Sequence, residues 1–190
     1  MTRVTIRTER STDIPARERL LDATLGAARF MKPSERVREG RFAAEGLSFV
    51  AVENGRVVGT LRLWNVNAGL GCPALLLGPL AVATEARGHG IGAMLMERAL
   101  REARTRKHGA VLLVGDAAYY GRFGFSAEKT GRLRVPAPYE QHRLLGLELK
   151  RGVLDGARGL IRASGDRIPK GLPAFLTGAI HAPTPLALAA

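Results

Sequence analysis

The sequence has few cysteines, no long apolar run and no signal-like N-terminus. Its one cysteine, Cys72, excludes an intramolecular disulfide, which fits a reducing compartment. No run of about eighteen apolar residues is present, so the sequence predicts no membrane span. The first ten residues, MTRVTIRTER, are charged and alternating and contain no apolar segment of the kind a secretory signal needs. We therefore expect a cytoplasmic location.

Acidic residues are also scarce, at 17 Asp and Glu against 29 Lys and Arg, which leaves a formal net charge of +12. A basic balance favours polyanionic ligands such as nucleic acids, acidic proteins, anionic membrane surfaces or phosphorylated cofactors, and it is also met in merely solvated basic surfaces. Aromatic residues make up only 5% of the chain, and no basic patch carries interleaved aromatics. Nucleic acid is therefore not the expected partner.

The composition is that of a folded protein, because hydrophobic residues make up 46% of the 190 residues. The sequence predicts one domain over residues 1–164. From Gly165 the chain becomes rich in Pro, Gly and Ala, and we expect residues 165–190 to form an apolar C-terminal extension. This extension is expected to dock on the flank of the sheet or across a dimer partner, so a homodimer is left open.

Hydrophobic periodicity and turn residues predict strands and helices in an irregular order. Asp13 and Pro15 mark a helix start, and Asn54-Gly55 marks a tight hairpin. The predicted strands are Arg3–Arg7, Leu47–Val52, Arg56–Trp64, Ala74–Val82, Ala110–Val114 and Leu144–Lys150, and the main helix is Gly90–Lys107. This order predicts an α+β (mixed α/β) fold with one central sheet.

Ala83–Leu95 reads ATEARGHGIGAML and lies between a buried strand and the main helix. Glycines at Gly88, Gly90 and Gly92 would allow an anion to approach free backbone N–H groups, and the helix dipole adds a positive field there. Arg87 adds a charge and forked donors. The stretch therefore predicts a cradle for a phosphate or pyrophosphate.

Two other phosphate motifs fit this stretch less well. A P-loop needs a Gly-Lys-Ser/Thr ending, which is absent. The dinucleotide fingerprint does match at Gly88, Gly90 and Ala93, and Asp116 follows the next strand. However, five residues separate Val82 from Gly88, and only one βαβ unit is apparent, which disfavours a Rossmann domain.

The segment LGPLAVATEARGHGIGAMLMERAL resembles the coenzyme A-binding motif of the GCN5-related N-acetyltransferase (GNAT) superfamily. The family pattern Arg/Gln-x-x-Gly-x-Gly/Ala is met by Arg87, Gly90 and Gly92. A second family signature, an aromatic-Tyr pair followed by Gly-Phe, is met by YYGRFGF, which begins at Tyr119. The segments LGPLAV and VGDAAYYGRFGF are most similar to the YhbS-type branch of the family. The resemblance covers about residues 3–162.

The resemblance implies a GNAT-like fold, a mostly antiparallel twisted central sheet with one splayed parallel strand pair and flanking helices. It implies acetyl-CoA as cosubstrate, no metal, and transfer of the acetyl group to a primary amine by direct attack through a tetrahedral intermediate. The amine acceptor is a small molecule or a protein. The cofactor-binding residues carried over are Leu80, Ala81, Val82, Arg87, Gly88, His89, Gly90, Ile91 and Gly92.

The resemblance implies that Tyr120 is the general acid. A tyrosine, whose pKa is ordinarily near ten, is suited to protonating a departing thiolate. Tyr119 and Phe123 are expected to be core residues. No general base is assigned among five candidates: Glu85, His89, Asp116, Glu128 and His142. Two alternatives stay open, a non-catalytic CoA-binding protein and an acyltransferase that takes a longer acyl chain or an acyl carrier protein as donor.

Overall fold

The computed structural model of the chain describes residues 4–169 and residue 171. Over these residues it contains eight strands, four α-helices and several short 3-10 helices. The strands are β1 (Thr5–Thr8), β2 (Ser48–Glu53), β3 (Arg56–Ala68), β4 (Pro73–Val82), β5 (Ala110–Val114), β6 (Leu133–Arg134), β7 (Leu144–Glu148) and β8 (Gly159–Ala163). The helices are α1 (Ile14–Leu25), α2 (Pro33–Arg38), α3 (Ile91–Thr105) and α4 (Ala117–Tyr120).

One mixed sheet organises the domain. Its main path runs in the order β1-β2-β3-β4-β5-β7, with β8 joined to β3 and β6 joined to β8. The first four strands pair antiparallel, β4 pairs in parallel with β5, and β5 pairs antiparallel with β7. The predicted hairpin is present, since Asn54 and Gly55 both have positive φ between β2 and β3. The predicted fold class is thus confirmed.

The sheet separates two cores, because neighbouring residues on a strand point to opposite faces. Leu63, Leu75 and Val111 pack with Leu95 of α3 on one face. Trp64, Leu76 and Leu112 pack on the other face, where Val37 of α2 joins them. The two helices therefore cover opposite faces of the same strands, and this places the ends of β4 and β5 between them.

A buried network of ion pairs ties α1 to the sheet. Arg17 has no exposed side-chain surface, and its guanidinium binds Glu9 at 2.5 Å and Glu18. Arg62 of β3 also binds Glu9, and Arg29 binds Glu18 at 2.7 Å. These charges are removed from water together with their partners, which is the condition under which a buried ion pair is tolerated.

Strand β8 was not predicted from the sequence. It pairs antiparallel with the end of β3, where Val66 faces Ala163. The chain then continues beside the segment that follows α2, because Phe42 N donates to Asp166 O at 3.0 Å and Ile168 N donates to Gly40 O at 3.0 Å. The rest of the predicted extension, residue 170 and residues 172–190, lies outside the described residues, so the domain boundary and the docking of the extension stay predictions.

Candidate active site

The glycine loop lies between the end of β4 and the start of α3. Gly88 and Gly90 have φ values of 83° and 75°, a region that other residues adopt at a cost. Within the described part of the chain, the N–H groups of Gly88, His89 and Gly90 donate to no acceptor. The first N–H groups of α3, from Ile91 onward, have no intrahelical partner either. The loop thus presents a run of free donors at a positive helix end.

A hollow of about 390 Å³ opens onto these donors. Besides the loop itself, it is lined by Val82, Tyr119 and Arg122. A Cβ added at Gly92 would lie 2.7 Å from the Tyr119 hydroxyl, so only glycine leaves this approach to the helix start open. The loop, the hollow and the helix end together fit a pyrophosphate.

Tyr119 and Arg122 were not assigned to this site from the sequence. The expectation that Tyr119 is a core residue is wrong, since its half-buried ring lines the hollow. The Arg122 guanidinium stacks on that ring, 4.7 Å from its centre, and adds a second cation beside Arg87. Arg87 itself is exposed, and its Nε donates to Val82 O at 3.3 Å.

Strands β4 and β5 splay apart beside this loop. They pair in parallel only at Leu75–Val111 and Leu76–Leu112. Beyond these pairs β4 carries a bulge. The register advances three residues on β4, from Leu77 to Leu80, while it advances only two on β3, from Leu63 to Leu61. The indole Nε1 of Trp64 donates to Gly78 O in this bulge at 2.7 Å. The result is an open gap in the sheet that ends at the glycine loop.

Backbone donors of β4 point into this gap. Ala83 N donates to Val58 O at 2.8 Å, so the trans peptide before it turns the Val82 carbonyl away from β3. In a strand, the N–H and C=O of one residue share a side, and every second residue repeats it. The N–H groups of Val82 and Leu80 therefore face the gap, while the small side chain of Ala81 is buried.

Tyr120 stands at the β5 side of the gap. Its ring fills the space that a side chain at Gly115 would need, and it packs edge-on against Tyr119 and Phe125 at 4.9 and 6.1 Å between ring centres. Burial, followed by the nearby Tyr119 and Asp116, raises the pKa of Tyr120 to about 12. Among the described residues its hydroxyl has no hydrogen-bond partner. The phenol is thus protonated at neutral pH and free to meet a ligand.

The candidate bases do not converge on this point. The Asp116 carboxylate accepts from Ala118 N at 3.0 Å and so caps α4. His89 Nδ1 lies 3.4 Å from Ala86 O inside the glycine loop. Glu85, Glu128 and His142 are exposed. The geometry therefore adds no support for any of the five as a general base.

A second hollow, of about 850 Å³, lies at the opposite end of the sheet, beside the turn between β3 and β4. It is lined by four arginines: Arg132, Arg134, Arg158 and Arg162. Within residues 4–169 none of these guanidinium groups has a hydrogen-bond or ion-pair partner. The hollow contributes to the basic surface and is separate from the gap between β4 and β5.

The described residues contain neither a metal site nor a membrane-spanning helix. Within residues 4–169 and 171, no group of three or more His, Cys, Asp or Glu side chains is arranged to hold a metal ion. No helix in the same part of the chain has the length and apolarity that crossing a bilayer requires.

Comparisons with known proteins identify relatives of this chain. A model of the acetyltransferase (GNAT) domain matches residues 44–127. The Escherichia coli K12 protein called uncharacterized N-acetyltransferase YhbS is 30% identical over 158 residues, which is 82% of this chain and 93% of that protein. A second K12 protein, uncharacterized N-acetyltransferase YjhQ, is 32% identical over 111 residues, which is 55% of this chain and 61% of the relative.

Solved structures show the same fold. The crystal structure of E. coli YhbS in complex with CoA superposes with a TM-score of 0.74 at 28% identity, over 86% of this chain and 91% of that one. A GNAT family acetyltransferase from Brucella melitensis, in complex with acetyl-CoA, gives a TM-score of 0.56 at 24% identity, over 88% of this chain and 92% of that one.

Proposed function

The chain belongs to the GNAT family of N-acetyltransferases, and on that premise we propose that it transfers the acetyl group of acetyl-CoA to a primary amine. The observation that carries the proposal is the glycine loop of free N–H donors at the mouth of the gap between β4 and β5. The YhbS structure in complex with CoA supports the choice of ligand. In this proposal the pyrophosphate binds at residues 87–92, and Tyr119 and Arg122 close the hollow around it.

The residues of the gap would act on the thioester end of the ligand. Acetyl-CoA supplies an activated acetyl group: the amine nitrogen bonds to the acetyl carbon, the carbon–sulfur bond breaks, and the sulfur takes a proton while the amine loses one. The N–H groups of Leu80 and Val82 would polarise the carbonyl oxygen. They would also pair with the extended pantetheine arm as an added strand does.

Tyr120 would supply the proton to the sulfur. Its raised pKa keeps the hydroxyl protonated, and the proton released by the amine restores it after transfer. No acid or base beyond Tyr120 is assigned. Titration with CoA, followed by an assay for free CoA with a panel of amines, separates an enzyme from a protein that only binds the cofactor.

Gly90→Val tests the cradle. We expect it to weaken acetyl-CoA binding tenfold or more, about 1.4 kcal/mol, measured by calorimetric titration. A Cβ at Gly90 meets no protein atom within 4 Å, so in this proposal the added side chain would clash with the bound pyrophosphate and not with the fold.

The matched control is Gly156→Val. Gly156 has a φ of 74° against 75° for Gly90, and a Cβ there is equally free of contacts, so both variants carry the same backbone strain. Equal affinities in the two variants would place the pyrophosphate elsewhere.

A further inference from the structure

Arg38 is a buried cation with an unused donor at the bulge of β4. Only 5% of its side chain is exposed, and its Nε donates to Glu35 at 2.8 Å. Its Nη1 has no partner, and it lies 3.4 Å from the place of a Cβ on Gly78. Burying a donor without a hydrogen-bond partner destabilises the folded state. Arg38 is nevertheless buried here with one such donor.

Two more cations lie around the same gap. Arg143 precedes β7, and its Nε donates to Gly115 O at the end of β5 at 3.4 Å. Lys32 immediately precedes α2 and lies close to both arginines: partial burial first, and then Arg38 and Arg143, lower its pKa. Arg38 thus stands at β4, Arg143 at β5, and Lys32 near both.

The acidic groups near these cations offset only part of their charge. Glu18 acts on Arg38 without contacting it and is itself bound by Arg17 and Arg29. Glu35 pairs with Arg38, and the largely exposed Glu140 lies 3.8 Å from an Arg143 nitrogen. Glu140 is 66% exposed, so water screens its charge. An excess of positive charge therefore remains at the mouth of the gap.

The cations and the glycine loop reach the gap from different faces of the sheet. The loop leads into α3, whose Leu95 packs on one face, whereas α2 packs through Val37 on the other face. If the proposed function holds, acetyl-CoA occupies the α3 side. The second substrate is then left with the α2 side, where Lys32, Arg38 and Arg143 lie.

We propose that this cationic mouth, made by Lys32, Arg38 and Arg143, selects acceptor amines that carry a carboxylate or phosphate a few bonds from the amino group. The inference rests on the proposed function and names its substrate class. Lys32 and Arg143 contact the carboxylate or phosphate of the acceptor directly. The buried Arg38 contributes its positive charge without contacting the acceptor. The same positive field disfavours an ammonium ion, so it helps the bound amine to become the neutral nucleophile without a dedicated base.

Matched amine pairs test the proposal on the full chain with acetyl-CoA, with free CoA as the readout. γ-Aminobutyrate is compared with butylamine, and aminoethyl phosphate with ethylamine, so that the two arms separate a carboxylate preference from a phosphate preference. We expect the anionic member of at least one pair to have a kcat/KM at least tenfold higher. Equal values within both pairs would overturn the inference and leave the proposed function standing.

Lys32→Gln assigns the preference to this mouth. We expect it to reduce the ratio of kcat/KM for the anionic amine to kcat/KM for its neutral partner about tenfold. Arg143→Gln should also lower this ratio, whereas Arg143→Lys should retain most of it. Arg36→Gln is the control, because Arg36 is an exposed arginine on α2, the short helix that follows Lys32. An unchanged ratio in Lys32→Gln would overturn the assignment.

Binding measurements distinguish failure of the anion site from failure of the proposed function. Calorimetry with γ-aminobutyrate and aminoethyl phosphate in the presence of CoA should show binding that Lys32→Gln weakens. Binding without CoA release from acetyl-CoA by any amine would refute the proposed function and keep the anion site. CoA release with neutral amines only, and no binding of the anionic ones, would refute the anion site alone.

Discussion

Replacing Tyr120 with phenylalanine is expected to lower kcat about a hundredfold, the scale for loss of a positioned acid, while the affinity for acetyl-CoA stays within twofold. Phenylalanine keeps the ring that fills the space beside Gly115 and packs on Phe125. Only the hydroxyl is lost, and among the described residues that hydroxyl serves no structural hydrogen bond. Steady-state kinetics with the best acceptor amine, together with a CoA titration, measures both quantities.

Tyr139→Phe is the control for this change. The Tyr139 hydroxyl donates to Leu133 O at 3.1 Å and contacts Gln141 at 2.7 Å, so its loss should lower stability and leave kcat unchanged. Because the pKa of Tyr120 is raised to about 12, its ionisation should produce no fall in the wild-type rate below pH 10. Full activity of Tyr120→Phe would remove this residue from the mechanism.

Replacing Arg17 with methionine is expected to lower the free energy of unfolding by about 3 kcal/mol, the low end for a broken buried ion pair. Methionine fills much of the space, but the buried carboxylates of Glu9 and Glu18 each lose their ion pair with Arg17. Arg62 and Arg29 still hold one carboxylate each, which keeps the loss from being larger.

Chemical denaturation followed by circular dichroism measures this difference. Arg19→Met is the control, since Arg19 is exposed on the same helix and its loss should change stability by less than about 0.5 kcal/mol. Equal stabilities of the two variants would show that the network contributes nothing beyond an ordinary surface charge.

Local sequence patterns were sufficient to predict most of the strands and helices. Asn54-Gly55 predicted the hairpin because both residues can take positive φ, and the apolar run of β4 predicted a buried strand. Strand β8 was missed because it is short and pairs with residues nearly a hundred positions earlier, at Val66. The ion pairs of Arg17 were missed for a related reason: charged residues in a helix predict a solvated face unless distant partners are known.

The site was predictable where it depends on backbone chemistry. Gly88 and Gly90 were identified because a close anion requires glycine, and the structure adds that both residues have positive φ. Tyr119 and Arg122 were not, because only the folded chain brings α4 against Gly92. The cationic mouth was also invisible, since Lys32, Arg38 and Arg143 lie on separate segments.

The splay divides β4 into two halves that should differ in hydrogen exchange. On the side that faces β5, the first half is paired at Leu75 and Leu76, whereas the amides of Leu80 and Val82 meet no strand. In the unliganded protein the amides of Leu80 and Val82 should exchange with solvent much faster than the amide of Leu75, although all three belong to one strand. A ligand that enters the gap would slow exchange at Leu80 and Val82 and leave Leu75 unchanged, so the strand itself reports occupancy, residue by residue, before any acetyl group is transferred.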